Sequence, residues 1–431
     1  MNKKKRCYRQ FREKDITKNM KKLIIDTDNT MGIEGRPMDD ALAILYLLGC
    51  PEDVEILGIC CNYGNGTSAE SYDSNIRMLN ETGYSKIPVY HGSEIGENPI
   101  SDSSKFILDM ANTYPNELVY LGIGSLGNLY GAYLEDNTVF DKISQIVLMG
   151  GITEPLLIHD GQALDELNFS VNAKATTCVL THGNNISIIT GNNCLPVSEL
   201  PKNEFLDNLC NADNPAGMYI AQKCGYRFRI KEIVYGADSS NCWDVVAAAY
   251  INHPEKFIDV ITPCNITEDQ ICDRGFLDPV PEEESNCLIN IPVPRQRVEL
   301  QELFYASWLK LKMSTNDANF SCKGLYLDKL IQPCILLELS KEACHGFLLL
   351  QKLKEDGYVA ENLDPTGFYR NLRKMEKDGY LTSEIEGHGP KAKKTFTITD
   401  FGRRALLNWR DSLDSYQAFI SNVVKGIDSL E

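Results

Sequence analysis

From Lys22 onward the chain alternates short apolar runs with amphipathic stretches. KLIID is followed by DDALAILYLLG, VEILGICC and a polar helical stretch; ELVYLGIG, SQIVLMGG and NISIIT follow, each leading into helix-compatible sequence. This rhythm constrains the fold more than any other feature. Strands alternating with helices imply an α/β architecture, a mostly parallel open sheet with helices on both faces. In such sheets ligands bind at the carboxyl ends of the strands. The acidic residues after KLII and the glycines after SQIVLM both fall there.

A chain of 431 residues exceeds one ordinary core, so two or three domains are expected. Residues 313–324, MSTNDANFSCKG, are polar, small and without apolar periodicity, and read as a linker between a first domain at 20–312 and a second at 325–431. The second has helical spacing in LDKLIQPCILLELS, two further helical stretches, and strand-like alternation around a glycine-rich turn in TSEIEGHGPKAKKTFTIT. Three helices and a hairpin describe a small winged helix-turn-helix. Residues 1–19 are basic and lie ahead of MKKLIIDTD; they read as a disordered extension, with Met20 a natural start. No apolar run approaches a membrane span and no signal-type segment is seen, so a cytoplasmic protein without membrane contact is expected. Fifteen cysteines lie scattered without CxxC or Cys/His zinc spacing, which suits free thiols in a reducing compartment.

The net charge of −17 is unevenly spread, because residues 325–431 hold 15 Lys and Arg against 16 Asp and Glu. The acidic remainder would repel nucleic acid. Any DNA contact must then come from a local basic surface in the second domain.

The first strand ends in Asp26-Thr27-Asp28, and Asp39-Asp40 opens the next helix, so several carboxylates can converge near a helix N-terminus. Buried together they repel one another unless a hard cation neutralises them, and oxygen-only ligation suits calcium or magnesium better than zinc. Helix capping by an Asp pair is the plainer alternative.

Five motifs in order decide between them. DTDNTMGIEGRPMDDA, Gly64-Asn65, GSLGN leading to Met149-Gly150-Gly151, Glu166-Leu167-Asn168, and Trp243-Asp244 before VVAAAYINHPEKF together resemble the inosine/uridine-preferring nucleoside hydrolase family over about residues 20–312. The resemblance implies the nucleoside hydrolase fold and hydrolysis of the N-glycosidic bond of a ribonucleoside. It implies calcium (Ca2+) held by Asp28, Asp40, Asp244 and the backbone carbonyl of Ile123, with Asp28 also the general base. Asp39, Glu166 and Asn168, joined by Asn65, would bind the ribose hydroxyls.

The pattern departs from the family at three places. The stretch between Asp28 and Asp39 is longer than usual and could form a lid over the ribose. Trp243 replaces the His that many members carry to protonate the leaving base; stacking on Trp243 suits a purine. Gln162 stands where an Asn of different spacing is expected. Tyr226, Phe228 and Tyr235 fall in the segment that forms a base-side lid in relatives, though aromatics at these spacings are more often core.

The second domain resembles the PadR-like family of transcriptional regulators. ILLELSKEACHGF matches its opening, GFYRNLRKMEKDGYLTSE its recognition-helix region, and GPKAKKTFTITDFGR its basic wing. The resemblance implies DNA binding, with Arg370, Arg373, Lys374, Lys391, Lys393 and Lys394 as contacts. His345 reads as structural. Trp409, Leu413, Tyr416, Phe419 and Val423 recur at near-helical spacing and suit the interface of a homodimer or higher homo-oligomer. The whole reads as a nucleoside hydrolase fused to a DNA-binding domain, the alternative being a nucleoside-sensing regulator whose hydrolase domain turns over slowly or not at all.

Overall fold

A computed structural model of the chain describes residues 20–313 except 34–35, 158–162, 165, 211–213 and 236. It also describes 327–410 except 359–364, 378, 387–392 and 408, together with 413 and 421. The expected extension at 1–19 and nearly all of the expected linker lie outside these residues. The chain divides into two compact units, Met1–Thr315 and Asn316–Glu431.

The first unit is organised by a nine-stranded sheet: β1 (Lys21–Thr27), β2 (Val54–Cys61), β3 (Val89–Tyr90), β4 (Leu118–Gly122), β5 (Ile143–Met149), β6 (Ile186–Ile189), β7 (Ile261–Asn265), β8 (Asp278–Pro279) and β9 (Cys287–Asn290). Their spatial order is β8-β7-β9-β6-β5-β4-β1-β2-β3. Pairing is parallel from β3 across to β9, and in this sheet β7 alone runs antiparallel, pairing with β9 on one side and β8 on the other. The expected mostly parallel α/β sheet is therefore present.

Both faces of the sheet are covered, and side-chain alternation shows it. In β1, Leu23 and Ile25 join one apolar cluster while Ile24 joins the other; in β4, Val119 and Leu121 part from Leu118 and Tyr120 in the same way. Strands buried on both faces are why the runs read as continuously apolar. Helix α1 (Asp39–Leu48) is buried over its entire length. Leu42, Ile44, Leu45 and Leu47 are fully enclosed, each such burial contributing roughly 1.5–3 kcal/mol. Two more helices matter below: α2 (Pro215–Tyr235) and α3 (Trp243–Asn252). The Ala247-Ala248-Ala249 run of α3 is wholly buried, and its small side chains suit close packing against α1.

Strand order turns around between β1 and β4. From β1 the chain steps outward to β2 and β3, and from β4 it steps the opposite way to β5 and β6. The loops leaving β1 and β4 diverge and open a crevice at their carboxyl ends. Asp28 follows β1 directly and Ile123 follows β4 directly, bridged by the Ile123 N–H donating to the Asp26 carbonyl at 2.8 Å.

The second unit contains α4 (Leu327–Lys341), α5 (Gly346–Glu355) and α6 (Pro365–Lys377) with a three-stranded antiparallel sheet. Its strands are β10 (Cys344–His345), β11 (Leu381–Glu386) and β12 (Lys393–Ile398), with β12 in the middle. Ile335, Leu339, Leu349, Leu353, Phe368 and Phe396 lie in its buried core. The helices and the β11–β12 hairpin fit the expected winged helix. His345 is structural, because its Nδ1 accepts the Leu348 N–H at 3.2 Å and caps α5. Among the described residues no helix is long and apolar enough to cross a membrane.

Candidate active site

The crevice at the turning point of strand order holds a cleft of about 210 Å³. Asp39, Asn65, Ile123, Glu166, Asn168, Trp243 and Asp244 all line it, so seven residues expected from sequence come together. Asp28 and Asp40 lie buried beside them, 1% exposed each.

The local fold forces the carboxylates inward. Thr27 Oγ1 donates to Asp40 Oδ1 at 2.5 Å and the Asp28 N–H donates to the same oxygen at 3.2 Å, tying the start of α1 to the end of β1. Asp40 Oδ2 accepts Asn65 Nδ2 at 3.1 Å, and Asp28 Oδ2 accepts the Asn65 N–H at 2.5 Å. That last bond depends on Gly64, where a Cβ would stand 2.2 Å from Asp28 Oδ2. Asn65 thus grips two carboxylates, a role its GN motif did not reveal. The other oxygen of Asp28, Oδ1, is buried with no hydrogen-bond partner.

Electrostatics point the same way. Burial pushes Asp28 up to about 6. Asp40 and Asp244 are driven well above the usual carboxylate range, first by burial and then by neighbouring carboxylates. Asp39 is raised by burial, moderated by backbone amides that include Trp243 N–H and by the charges of Arg227 and Lys231. Asp39, Asp40 and Asp244 offer carboxylate oxygens within 4.8 Å of one another, which sets Asp39 beside two of the metal ligands expected from sequence. A partnerless buried carboxylate oxygen and a tight acidic trio are what a hard cation would resolve, so the donor set fits a divalent metal bound through oxygen.

Across the cleft, Asn168 Nδ2 lies 3.3 Å from the Ile123 carbonyl oxygen and 3.0 Å from that of Met149. Glu166 caps the helical turn Leu167–Ser170, accepting the Asn168 N–H at 2.8 Å and the Phe169 N–H at 3.0 Å. Trp243 is half-buried, with part of its surface on the cleft and part against the core.

The remaining expectations divide. Tyr226 Oη donates to the Arg36 carbonyl at 3.1 Å, and the Arg36 guanidinium reaches the Asn65 carbonyl, so the long stretch after Asp28 is tied to both α2 and the site. Phe228 is fully buried against Phe205 in the core, the ordinary fate of a helical aromatic. Gln162 and the Tyr235 side chain lie outside the described residues. In the second unit Arg373 is exposed on α6, while Lys394 pairs with Glu376 at 2.6 Å. Arg370 and Lys374 sit on α6 and Lys393 opens β12, with side chains outside the described residues, as is all of Lys391. The same holds for Tyr416, Phe419 and Val423; Trp409 packs partly on the core and Leu413 is exposed.

Two features were missed in the sequence, and a third, Asp26, was read there in the acidic cluster but given no role. Asp26 lies fully buried beneath the site, accepting from Tyr120 Oη at 2.6 Å, Asn62 Nδ2 at 2.6 Å and Asn128 Nδ2 at 3.0 Å. Burial carries it to about 7 despite those bonds. Arg227 and Lys231 of α2 line the cleft, as do Ser240 and Asn241 ahead of α3. The segment around 226–235 was read for its aromatics, while its charged residues and Ser240-Asn241 form no recognisable motif.

Comparison with known proteins agrees with this geometry. The inosine-uridine preferring nucleoside hydrolase family matches residues 23–300 and the transcriptional regulator PadR-like family residues 335–408. Over 279 residues the chain is 27% identical to uridine nucleosidase 1 of Arabidopsis thaliana, covering 58% of this chain and 76% of that protein. Over 80 residues it is 32% identical to a transcriptional regulator of Mycobacterium tuberculosis, 19% of this chain and 72% of the regulator. The solved purine-preferring ribonucleoside hydrolase from Gardnerella vaginalis shares the fold, with a TM-score of 0.58 at 21% identity over 68% of this chain and 99% of that one. With that family's pattern running through the carboxylate cleft, the chain belongs to the inosine-uridine preferring nucleoside hydrolases, as a nucleoside N-ribohydrolase joined to a PadR-like domain.

Proposed function

We propose that the first unit hydrolyses ribonucleosides to ribose and free base with calcium held by Asp28, Asp40, Asp244 and the Ile123 carbonyl, and with a preference for purines. The observation that carries this reading is the buried, partnerless Oδ1 of Asp28 beside a tight carboxylate trio. When bound, calcium would neutralise these carboxylates and acidify the attacking water. Asp28, buried at the end of β1 with one carboxylate oxygen unpartnered, is the base that takes the water proton. Asp39, Asn65, Glu166 and Asn168 hold the ribose hydroxyls, and carboxylates around the ring stabilise its oxocarbenium-like transition state. Trp243 stacks on the base, which is the ground for the purine preference. The Arabidopsis relative is named for uridine and the Gardnerella one for purines. The test is purified full-length protein with calcium or chelator, given inosine, adenosine, guanosine, uridine and cytidine, and followed for free base. Purine release that needs calcium and vanishes in Asp28→Ala supports the reading; nucleoside binding without release favours a sensor instead.

The second unit would bind DNA in the cytoplasm as a homodimer or higher homo-oligomer, through α6 and the wing. Arg373, exposed on α6, carries that part. Arg373→Ala should weaken operator binding about fivefold and lower the salt slope by roughly one. If a nucleoside analogue that resists hydrolysis changes operator affinity several-fold, the two activities are coupled; equal affinities leave them independent.

A further inference from the structure

Cleaving a C1′–N bond leaves the bond's electron pair on the base nitrogen, and an unprotonated base anion leaves poorly. A hydrolase therefore needs a proton or positive charge on the base side of its cleft. Trp243 can stack there, but its indole releases no proton at working pH.

Two cations stand on that side. Arg227 and Lys231 are spaced i, i+4 on α2 and so share one helix face, and both line the cleft beside Trp243, Ser240 and Asn241. Both are half-buried, in a protein of net charge −17. Both act on Asp39 at the start of α1. The Tyr226–Arg36 bond holds this turn of α2 against the stretch after Asp28. The other wall is formed by Asn168, hydrogen-bonded to the Ile123 and Met149 carbonyls, and by Glu166. With the ribose held at that wall, as proposed above, the opposite side of the cleft, lined by α2, is left for the base.

We infer that Arg227 and Lys231 activate the leaving base, Lys231 as the proton donor and Arg227 as the charge that stabilises it. The Lys231 ammonium gives a proton to the base as the C1′–N bond breaks. The guanidinium of Arg227 hydrogen-bonds the base and offsets the electron pair it receives. Water oxygen bonds to C1′, its proton passes to Asp28, and the bond pair goes to the base nitrogen. Solvent then reprotonates Lys231 and takes the proton from Asp28. Overall, one water is divided between ribose and base.

The assignment rests on the hydrolase reading above, and the experiment separates the two. Lys231→Gln and Arg227→Gln are made in the full chain with calcium and assayed on inosine, on uridine and on 4-nitrophenyl ribofuranoside, whose phenolate departs without a proton. The expected result is a fall in nucleoside turnover of roughly 10²–10³-fold, a fall of less than about threefold on the nitrophenyl riboside, and unchanged calcium binding by calorimetry. Equal losses on both substrate types would show that the cations only set the charge around Asp39, and would overturn the assignment. Undiminished nucleoside turnover would overturn it too. So would a preference for nucleoside 5′-monophosphates that disappears in Arg227→Gln, which would place the cations on a phosphate. A wild-type protein inactive on every substrate sinks the hydrolase reading itself, and this assignment with it.

Discussion

The floor and the outer wall of the cleft are built on opposite plans. The floor hangs from strand ends: Asp28 from β1, Ile123 from β4, and Asp40 bonded back to Thr27 and Asp28. Its groups are fixed by short hydrogen bonds in a buried environment that raises the cost of every unneutralised charge. The outer wall comes from α2 and the residues ahead of α3, set outside the sheet, with long side chains such as Arg227 and Lys231. A rigid floor suits the invariant half of a nucleoside, its ribose. A helical wall of long side chains suits the half that varies, its base.

If that division holds, losses at the floor must exceed those at the stacking surface of the wall. Asp40→Ala and Asp244→Ala each leave the remaining carboxylates without an oxygen of the trio. Calcium binding by calorimetry should be lost, and base release should fall by at least about a thousandfold. Trp243→Ala should instead raise the purine KM by roughly tenfold and leave calcium binding intact. A Trp243→Ala loss as large as that of Asp244→Ala would break the comparison.

Withholding the proposed calcium would probe the floor alone. The folded-state values of Asp28, Asp40 and Asp244 are raised above those of the unfolded chain. Their contribution to stability is therefore present at acid pH and is lost as pH rises through the folded values, about 6 for Asp28. The calcium-free protein should melt several degrees lower at pH 8 than at pH 5, and saturating calcium should remove most of that difference. A calcium-free Tm that rises with pH would mean the carboxylates are not strained as described.

Gly64→Ala gives a finer test. The added Cβ would meet Asp28 Oδ2 at 2.2 Å, so the Asn65 N–H bond must break or the loop must move. A stability loss of about 1–3 kcal/mol by denaturant unfolding is expected, with turnover reduced through a misplaced Asp28.

The same division explains what the sequence discloses. Strands buried on both faces are written as unbroken apolar runs, and Asp28 and Asp40 could be read as part of an acidic cluster after the first of them, whereas Ile123 and Asp244 were reached only through the family resemblance. Asn65 was legible as a site residue but not as the link between two carboxylates, because that depends on Gly64 admitting a close approach. Glu166 was read from the Glu166-Leu167-Asn168 motif as a ribose-binding residue, while its geometry also caps a helical turn. Arg227 and Lys231 were illegible. They lie in a long helix whose charges form no recognisable motif, and only the way α2 packs brings them to the cleft.

At position 123 the cleft presents a peptide carbonyl, set in place by the Ile123 N–H bond to Asp26 and approached by Asn168. No point substitution other than one that bends the backbone can delete it. The ligand proposed there is therefore hidden from mutational scanning: a library at this codon would report tolerance set by core packing, and would score as dispensable a position whose contribution lies in its main chain. Backbone chemistry, such as replacing that peptide bond by an ester or thioamide, is the kind of genetics able to see it.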